Sequence, residues 1–188
     1  MNLIINSSPK PIHQTIGGIL SERLAKRLGG PVHVIDIYNS DQKYFNYTYH
    51  QEWIDLVIKA KSFILPVPMW NFTIPAALKD FLDKISQKEK VWSANSKGKT
   101  IGLLKDRPTY IIMTSGNFYP EGSLEDFLVP YLRTVFSFMV IRQVKDFRLG
   151  GVKRSESFLN DKKYLDEKAT DMLKTFHLYS SSRIQWIA

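Results

Sequence analysis

Short continuous apolar runs alternate along the chain with longer stretches whose apolar residues recur at helical spacing. The runs at 3–6 and 62–66 fit buried strands, that at 32–37 a further strand, and that at 110–114 a strand buried on both faces. Ile16, Ile19, Leu20, Leu24 and Leu28 predict a helix over 16–28, stopped by Gly29-Gly30-Pro31. Trp53, Leu56, Val57 and Ala60 predict a second over 52–60, and Pro75 suits the first position of a third running to Ile85. Residues 91–104 read as a hairpin around Asn95-Ser96-Lys97-Gly98. Ser123 is placed to cap a helix over 124–137, residues 140–149 alternate as a last strand, and 161–178 form a closing helix.

Strands separated by helices of this length imply parallel βαβ units with right-handed crossovers. The expected fold class is α/β: a doubly wound, parallel, five-stranded sheet with helices on both faces. One domain over 1–179 accounts for the pattern, followed by a basic tail over 180–188. In such sheets ligands sit beyond the carboxyl ends of the strands, where the winding reverses. That rule selects the loops after the first, third and fourth strands.

The first of these is Asn6-Ser7-Ser8-Pro9-Lys10-Pro11-Ile12-His13-Gln14-Thr15, running into Ile16-Gly17-Gly18. Hydroxyls at Ser8 and Thr15 beside a helix N-terminus suit a phosphate, with Gly17 and Gly18 clearing its approach. Capping of the helix by Thr15 explains the same residues without a ligand. The second loop, Pro66 to Pro75, carries Met69, Trp70 and Phe72 around Asn71. Flat apolar surface with one amide is what a planar heteroaromatic ligand needs. The alternative is an aromatic loop folded onto the core. The third loop, Thr114-Ser115-Gly116-Asn117-Phe118-Tyr119-Pro120-Glu121-Gly122, offers small residues, backbone amides and the Asn117 side chain, or is a plain turn before the Ser123 cap.

Composition narrows the chemistry. The chain has no cysteine, which removes disulfides, thiolate metal sites and cysteine nucleophiles. The four histidines show no metal-ligand spacing. No apolar run is long enough to span a bilayer and no leader sequence is evident, so a soluble cytoplasmic protein is expected. A net charge of +8 favours anionic ligands. The basic residues are dispersed, which speaks against nucleic acid.

Asn-Ser-Ser-Pro after the first strand, Pro-Met-Trp-Asn-Phe-x-x-Pro-x-x-Leu-Lys-x-x-x-Asp after the third and Thr-Ser-Gly after the fourth resemble FMN-dependent NADH azoreductases and quinone reductases. The resemblance runs from Met1 to about Leu173, and the block from Pro68 to Asp83 is its specific part. It implies a flavodoxin-like fold and FMN at a homodimer interface. It further implies reduction of quinones or azo compounds by NADH or NADPH in two steps. Ser8, His13, Gln14 and Thr15 would hold the phosphate. Met69, Trp70, Asn71 and Phe72 would line the ring, with the Asn71 backbone tuning it, and Ser115, Gly116, Asn117 and Phe118 would meet the pyrimidine edge. No protein residue is assigned an acid–base role. The chain departs from the family at Trp70, where tyrosine is usual, at Gly116-Asn117-Phe118 and at His13-Gln14-Thr15. Trp70, Phe72, Phe118 and Tyr119 would leave an exposed apolar patch on a monomer, and a partner chain, through Tyr44 to Tyr49, would close over the flavin.

Three other readings stay open: an electron carrier, a cofactor-free scaffold and an acyl-carrier-protein phosphodiesterase-type hydrolase. Gly98-Lys99-Thr100 imitates the end of a P-loop but lies in a hairpin, with Ser93 where the first glycine belongs. Asp80 and Asp83 share a helix with Lys79 and Lys84 and read as a solvated face.

Overall fold

The computed structural model describes residues 1–39, 49–152 and 161–180, with the backbone alone described for 162 and 175–180. The parallel strands are β1 (Asn2–Asn6), β2 (Val32–Asp36), β3 (Ser62–Pro68), β6 (Thr109–Thr114) and β7 (Val144–Leu149), in spatial order β2-β1-β3-β6-β7. β4 (Trp92–Ala94) and β5 (Thr100–Gly102) form a separate antiparallel hairpin around Asn95–Gly98. The helices are α1 (Ile16–Leu28), α2 (Gln51–Lys59), α3 (Ala76–Ile85), α4 (Leu128–Phe138) and α5 (Lys162–Ser180).

The strand period of two sorts the core into two layers. Leu3, Ile5, Phe63, Leu65, Val67, Ile111 and Met113 face one way, onto α2, α3 and α4. Ile4, Ile64, Tyr110 and Ile112 face the other way, onto Leu20 and Leu24 of α1 and Leu165 and Met172 of α5. Both faces of β1, β3 and β6 are therefore covered, as apolar parallel strands require, whereas β2 at the sheet edge is exposed at Val32, His33 and Val34. The winding reverses between β1 and β3, so their carboxyl ends border the crevice. Asn2 ties the opposite end together: it donates to the Gly29 carbonyl at 2.8 Å and accepts from the Ser62 hydroxyl at 2.8 Å.

Three sequence expectations need correction. The helix expected over 124–137 begins at Leu128, and Ser123 does not cap it. Ser123 instead lies in a turn with its Oγ buried and unpartnered. Helical spacing ran back through Leu124, but that side chain is 90% exposed. Asp126 instead accepts from the Gly122 amide and fixes a turn there. The last strand starts at Val144 rather than 140, since Val140 has a φ of 71° and breaks the extended run. Finally, Lys79–Asp83 is a solvated pair, but Lys84–Asp80 at 2.8 Å has side chains only 3% and 13% exposed. Residues 44–48 of the expected closing segment, and the tail from 181, lie outside the described residues.

Candidate active site

The three loops leave β1, β3 and β6, which are adjacent in the sheet, so the topology brings them together. Direct bonds join them. The Ser7 hydroxyl donates to the Pro66 carbonyl at 2.9 Å, and the Met69 amide to the Thr114 carbonyl at 2.7 Å. Phe72 and Tyr119 meet edge to face at 5.9 Å, and Tyr38, just beyond β2, lies 6.3 Å from Trp70.

In the first loop, Ile12–Gln14 coil into a single 3-10 turn ahead of α1. Thr15 caps α1: its Oγ1 accepts from the Gly18 amide at 3.1 Å and donates to the Ile12 carbonyl at 3.3 Å. Holding a phosphate would require the hydroxyl to exchange the Ile12 carbonyl for the ligand. Ser8 is buried and its Oγ accepts from the Lys10 amide at 3.2 Å, which leaves its own proton to donate. His13 and Gln14 are exposed, and no hydrogen bond or ring contact ties their side chains to the other loops among the described residues. Gly17 and Gly18 do not clear an anion's path, as the sequence suggested. A Cβ on Gly17 would sit 3.3 Å from the Pro66 side chain, and one on Gly18 only 2.0 Å from the Ile12 oxygen. The glycines are needed so that α1 can approach the sheet and the 3-10 turn can fold over it.

The second loop turns on four residues. The amides of Trp70 and Thr73 each donate to the other's carbonyl at 3.0 Å, and Asn71 and Phe72 between them have φ of 47° and 67°. This is the dihedral pattern of a type I′ turn. Asparagine tolerates it; a phenylalanine there is strained. The amides of Asn71 and Phe72 donate to no group among the described residues. Trp70 and Phe72 are 43% and 45% exposed, while Met69 is half-buried against the core.

The third loop leaves β6 with the Ser115 amide bonded to the Leu149 carbonyl at 3.0 Å and its hydroxyl donating to the Asn117 carbonyl at 2.6 Å. The amides of Gly116, Asn117 and Phe118 bond to nothing among the described residues. Gly150, at the end of β7, makes room for this path: a Cβ there would lie 2.6 Å from the Phe118 Cα. Phe118, Leu124 and Phe127 are 66%, 90% and 60% exposed. With Trp70 and Phe72 they are exposed large apolar side chains in the loops that leave the carboxyl ends of β3 and β6.

A buried ion network holds that third loop. Arg148 of β7 grips both oxygens of Asp126, at 2.9 and 3.1 Å, and donates through Nε to Asp146 at 2.8 Å. It also reaches the Tyr119 carbonyl at 3.3 Å, and Arg133 of α4 bonds the other Asp146 oxygen at 2.6 Å. Burial alone would push the Asp126 carboxyl up. The hydrogen bonds from Arg148 and the Gly122 amide, with the charges of Arg148 and Arg133, outweigh it and hold the group below its ordinary value. Asp126 and Arg148 escape sequence reading because they lie 22 positions apart and neither belongs to a local motif. Leu124 and Phe127 escaped because they were assigned to a helix.

Among the described residues, no cluster of three or more acidic or histidine side chains could hold a metal, and no helix is long and apolar enough to cross a membrane. Among the described residues the site offers backbone donors, hydroxyls and aromatic surface, and no acid–base pair.

Comparison with known proteins agrees on the architecture. An "FMN-dependent NADH:quinone oxidoreductase 4" of Pseudomonas fluorescens is 40% identical over 81 residues, 42% of this chain and 39% of that one. A protein of similar name from Cupriavidus pinatubonensis is 35% identical over 98 residues, 51% of this chain and 47% of its own. The matched stretches thus span less than half of these relatives. An FMN-dependent NADH-azoreductase of Bacillus anthracis, solved with FMN, superposes with a TM-score of 0.69 at 20% identity, covering 96% of this chain and 99% of that one. The family model described as "Flavodoxin-like fold" matches residues 2–174, and the chain belongs to that family.

Proposed function

We propose that the chain binds FMN across its three loops and serves as an NAD(P)H-dependent oxidoreductase acting on quinones or azo compounds. The observation that carries this reading is the Trp70–Thr73 turn. It carries two amides that bond to nothing among the described residues, flanked by the exposed rings of Trp70 and Phe72, and the amides of 116–118 in the loop after the neighbouring strand are likewise without a bond there. A flat ligand with a heteroatom edge fits that arrangement. Relatives named as FMN-dependent NADH:quinone oxidoreductases, matched over part of their length, support the reading.

FMN, when bound, would supply the redox chemistry, carrying reducing equivalents between a nicotinamide nucleotide and the acceptor. The chain's residues do the rest. The Asn71 and Phe72 amides donate to one polar edge of the ring and fix its electronics. The amides of Gly116 to Phe118 hold the pyrimidine edge, and Met69 and Trp70 supply apolar contact. Ser8, Thr15 and the first-turn amides of α1 receive the phosphate, with His13 and Gln14 on the solvent side. A second copy of the chain covers the apolar edge, excludes water and completes the cleft in which the acceptor stacks. This reading has the enzyme at work in the cytoplasm.

The test is turnover. FMN-loaded protein should oxidise NADH or NADPH when a benzoquinone is added, and the protein stripped of FMN should not. A yellow, FMN-loaded protein that oxidises neither nucleotide would favour the electron-carrier reading instead.

A further inference from the structure

At the end of the sheet opposite the three loops lies a cleft of about 490 Å³, between the segments that enter β3 and β6. Its walls are Ile58 to Lys61, Lys90, and Leu103 to Arg107. Arg107 is only 5% exposed. Its Nε donates to the Lys105 carbonyl at 2.8 Å, and its Nη1 to the carbonyls of Val57, at 3.0 Å, Ile58 and Ala60, where α2 ends. The guanidinium also lies over the Phe63 ring at 5.3 Å. Capping α2 therefore accounts for Nη1, and the Lys105 carbonyl for Nε. The third, Nη2, donates to no group, and no carboxylate forms an ion pair with the guanidinium, among the described residues.

The charge of Asp106 acts on Arg107 without forming an ion pair, and three of the four lysines around it are also without an ion pair among the described residues. Lys59, Lys61 and Lys105 are exposed and form no ion pair among the described residues, whereas the Lys90 ammonium is engaged by Gln51. The cleft's one acid, Asp106, has an oxygen accepting the amides of Arg142 and Gln143 at 2.8 and 3.2 Å. Ile58 and Leu103 add half-exposed apolar surface to the same walls. A buried guanidinium with a spare donor, three free lysines and an apolar wall in a ligand-sized cleft call for one ligand chemistry.

We propose that this cleft is a second ligand site, for an organic phosphate whose phosphoryl group meets Arg107 Nη2 and the lysines while its apolar portion lies on Ile58 and Leu103. The site is independent of the flavin reading, because it sits at the other end of the sheet and shares no residue with the three loops.

The experiment is amide chemical-shift mapping of the full chain with octyl phosphate, with uncharged octyl glucoside as the comparison. Octyl phosphate should shift residues 58–61 and 103–107 saturably. The Lys61→Glu/Lys105→Glu variant should bind at least about ten-fold more weakly, the loss expected for one charged hydrogen bond. A Lys163→Glu/Lys174→Glu variant, with the same change in net charge on α5, should keep its affinity. No saturable shift at the cleft, shifts confined to residues 7–18, equal losses in both variants, or equal binding of octyl glucoside would each overturn the proposal.

Discussion

Trp70 and Thr73 close a reciprocal pair of backbone hydrogen bonds at 3.0 Å, and the two residues between them are held left-handed. The pairing leaves the Asn71 and Phe72 amides without a hydrogen bond among the described residues. Strain at Phe72 is a cost, of order 1–2 kcal/mol, that the fold carries at the place where a ligand is expected. Replacing Phe72 with glycine should therefore stabilise the free protein by about 1 kcal/mol in urea unfolding, while weakening FMN binding through loss of the ring. A free protein that loses stability instead would mean that the Phe72–Tyr119 contact outweighs the strain.

Capping and phosphate capture are combined in Thr15, and two substitutions separate them. Thr15→Ala should destabilise the fold by about 1 kcal/mol, because the Gly18 amide loses its acceptor, whereas Thr15→Ser should not. Ser8→Ala with Thr15→Ala should weaken FMN binding by about 2–3 kcal/mol and leave riboflavin, which has no phosphate, almost unaffected. Equal losses for the two ligands in fluorescence titration would show that the loop acts through stability alone.

The Arg148–Asp126 pair should govern the acid limb of stability. Asp126 has its carboxyl held below the ordinary value, so the native state binds fewer protons than the unfolded chain. Its contribution is present above the unfolded value near 3.9 and is lost as pH falls through the lowered native value. Asp126→Asn should cost about 2–4 kcal/mol at pH 6, because it leaves a buried guanidinium with half its partners. The variant should also show a flatter fall between pH 5 and pH 3, measured by urea midpoints. An unchanged acid limb would place the titrating group elsewhere.

Much of this architecture can be read from the chain. Period-two strands and period-3.6 helices predict the layers because Leu3 and Ile4, adjacent in sequence, must face opposite helices. The loops after β1, β3 and β6 follow from topology alone. Their internal geometry does not. Nothing local says that Asn71-Phe72 adopts a turn usually made with glycine at the second position, since the surrounding β3–α3 connection imposes it. The 115–127 loop was shortened in the sequence reading because Leu124 fits a helical stripe. Only Arg148, supplied by a distant strand, shows that Asp126 is spent on holding a loop. Gly17 and Gly18 invited a ligand explanation, whereas the neighbours that demand them, Pro66 and Ile12, become visible only in three dimensions.

Five exposed apolar side chains in the loops at the carboxyl ends of β3 and β6 predict self-association. At micromolar concentration the protein should sediment as a dimer, and Trp70→Ala with Phe118→Ala should shift it toward monomer without lowering its melting temperature. A wild-type monomer that still reduces quinone would show that one chain's crevice is sufficient.

The most direct measurement is cofactor stoichiometry. Protein stripped of ligand, saturated with FMN and desalted should retain about one FMN per chain, with the bound flavin's fluorescence quenched by the adjacent aromatic rings. Colourless protein after desalting, with FMN fluorescence unaltered by added protein, would contradict the account of the Trp70–Thr73 turn as a flavin cradle.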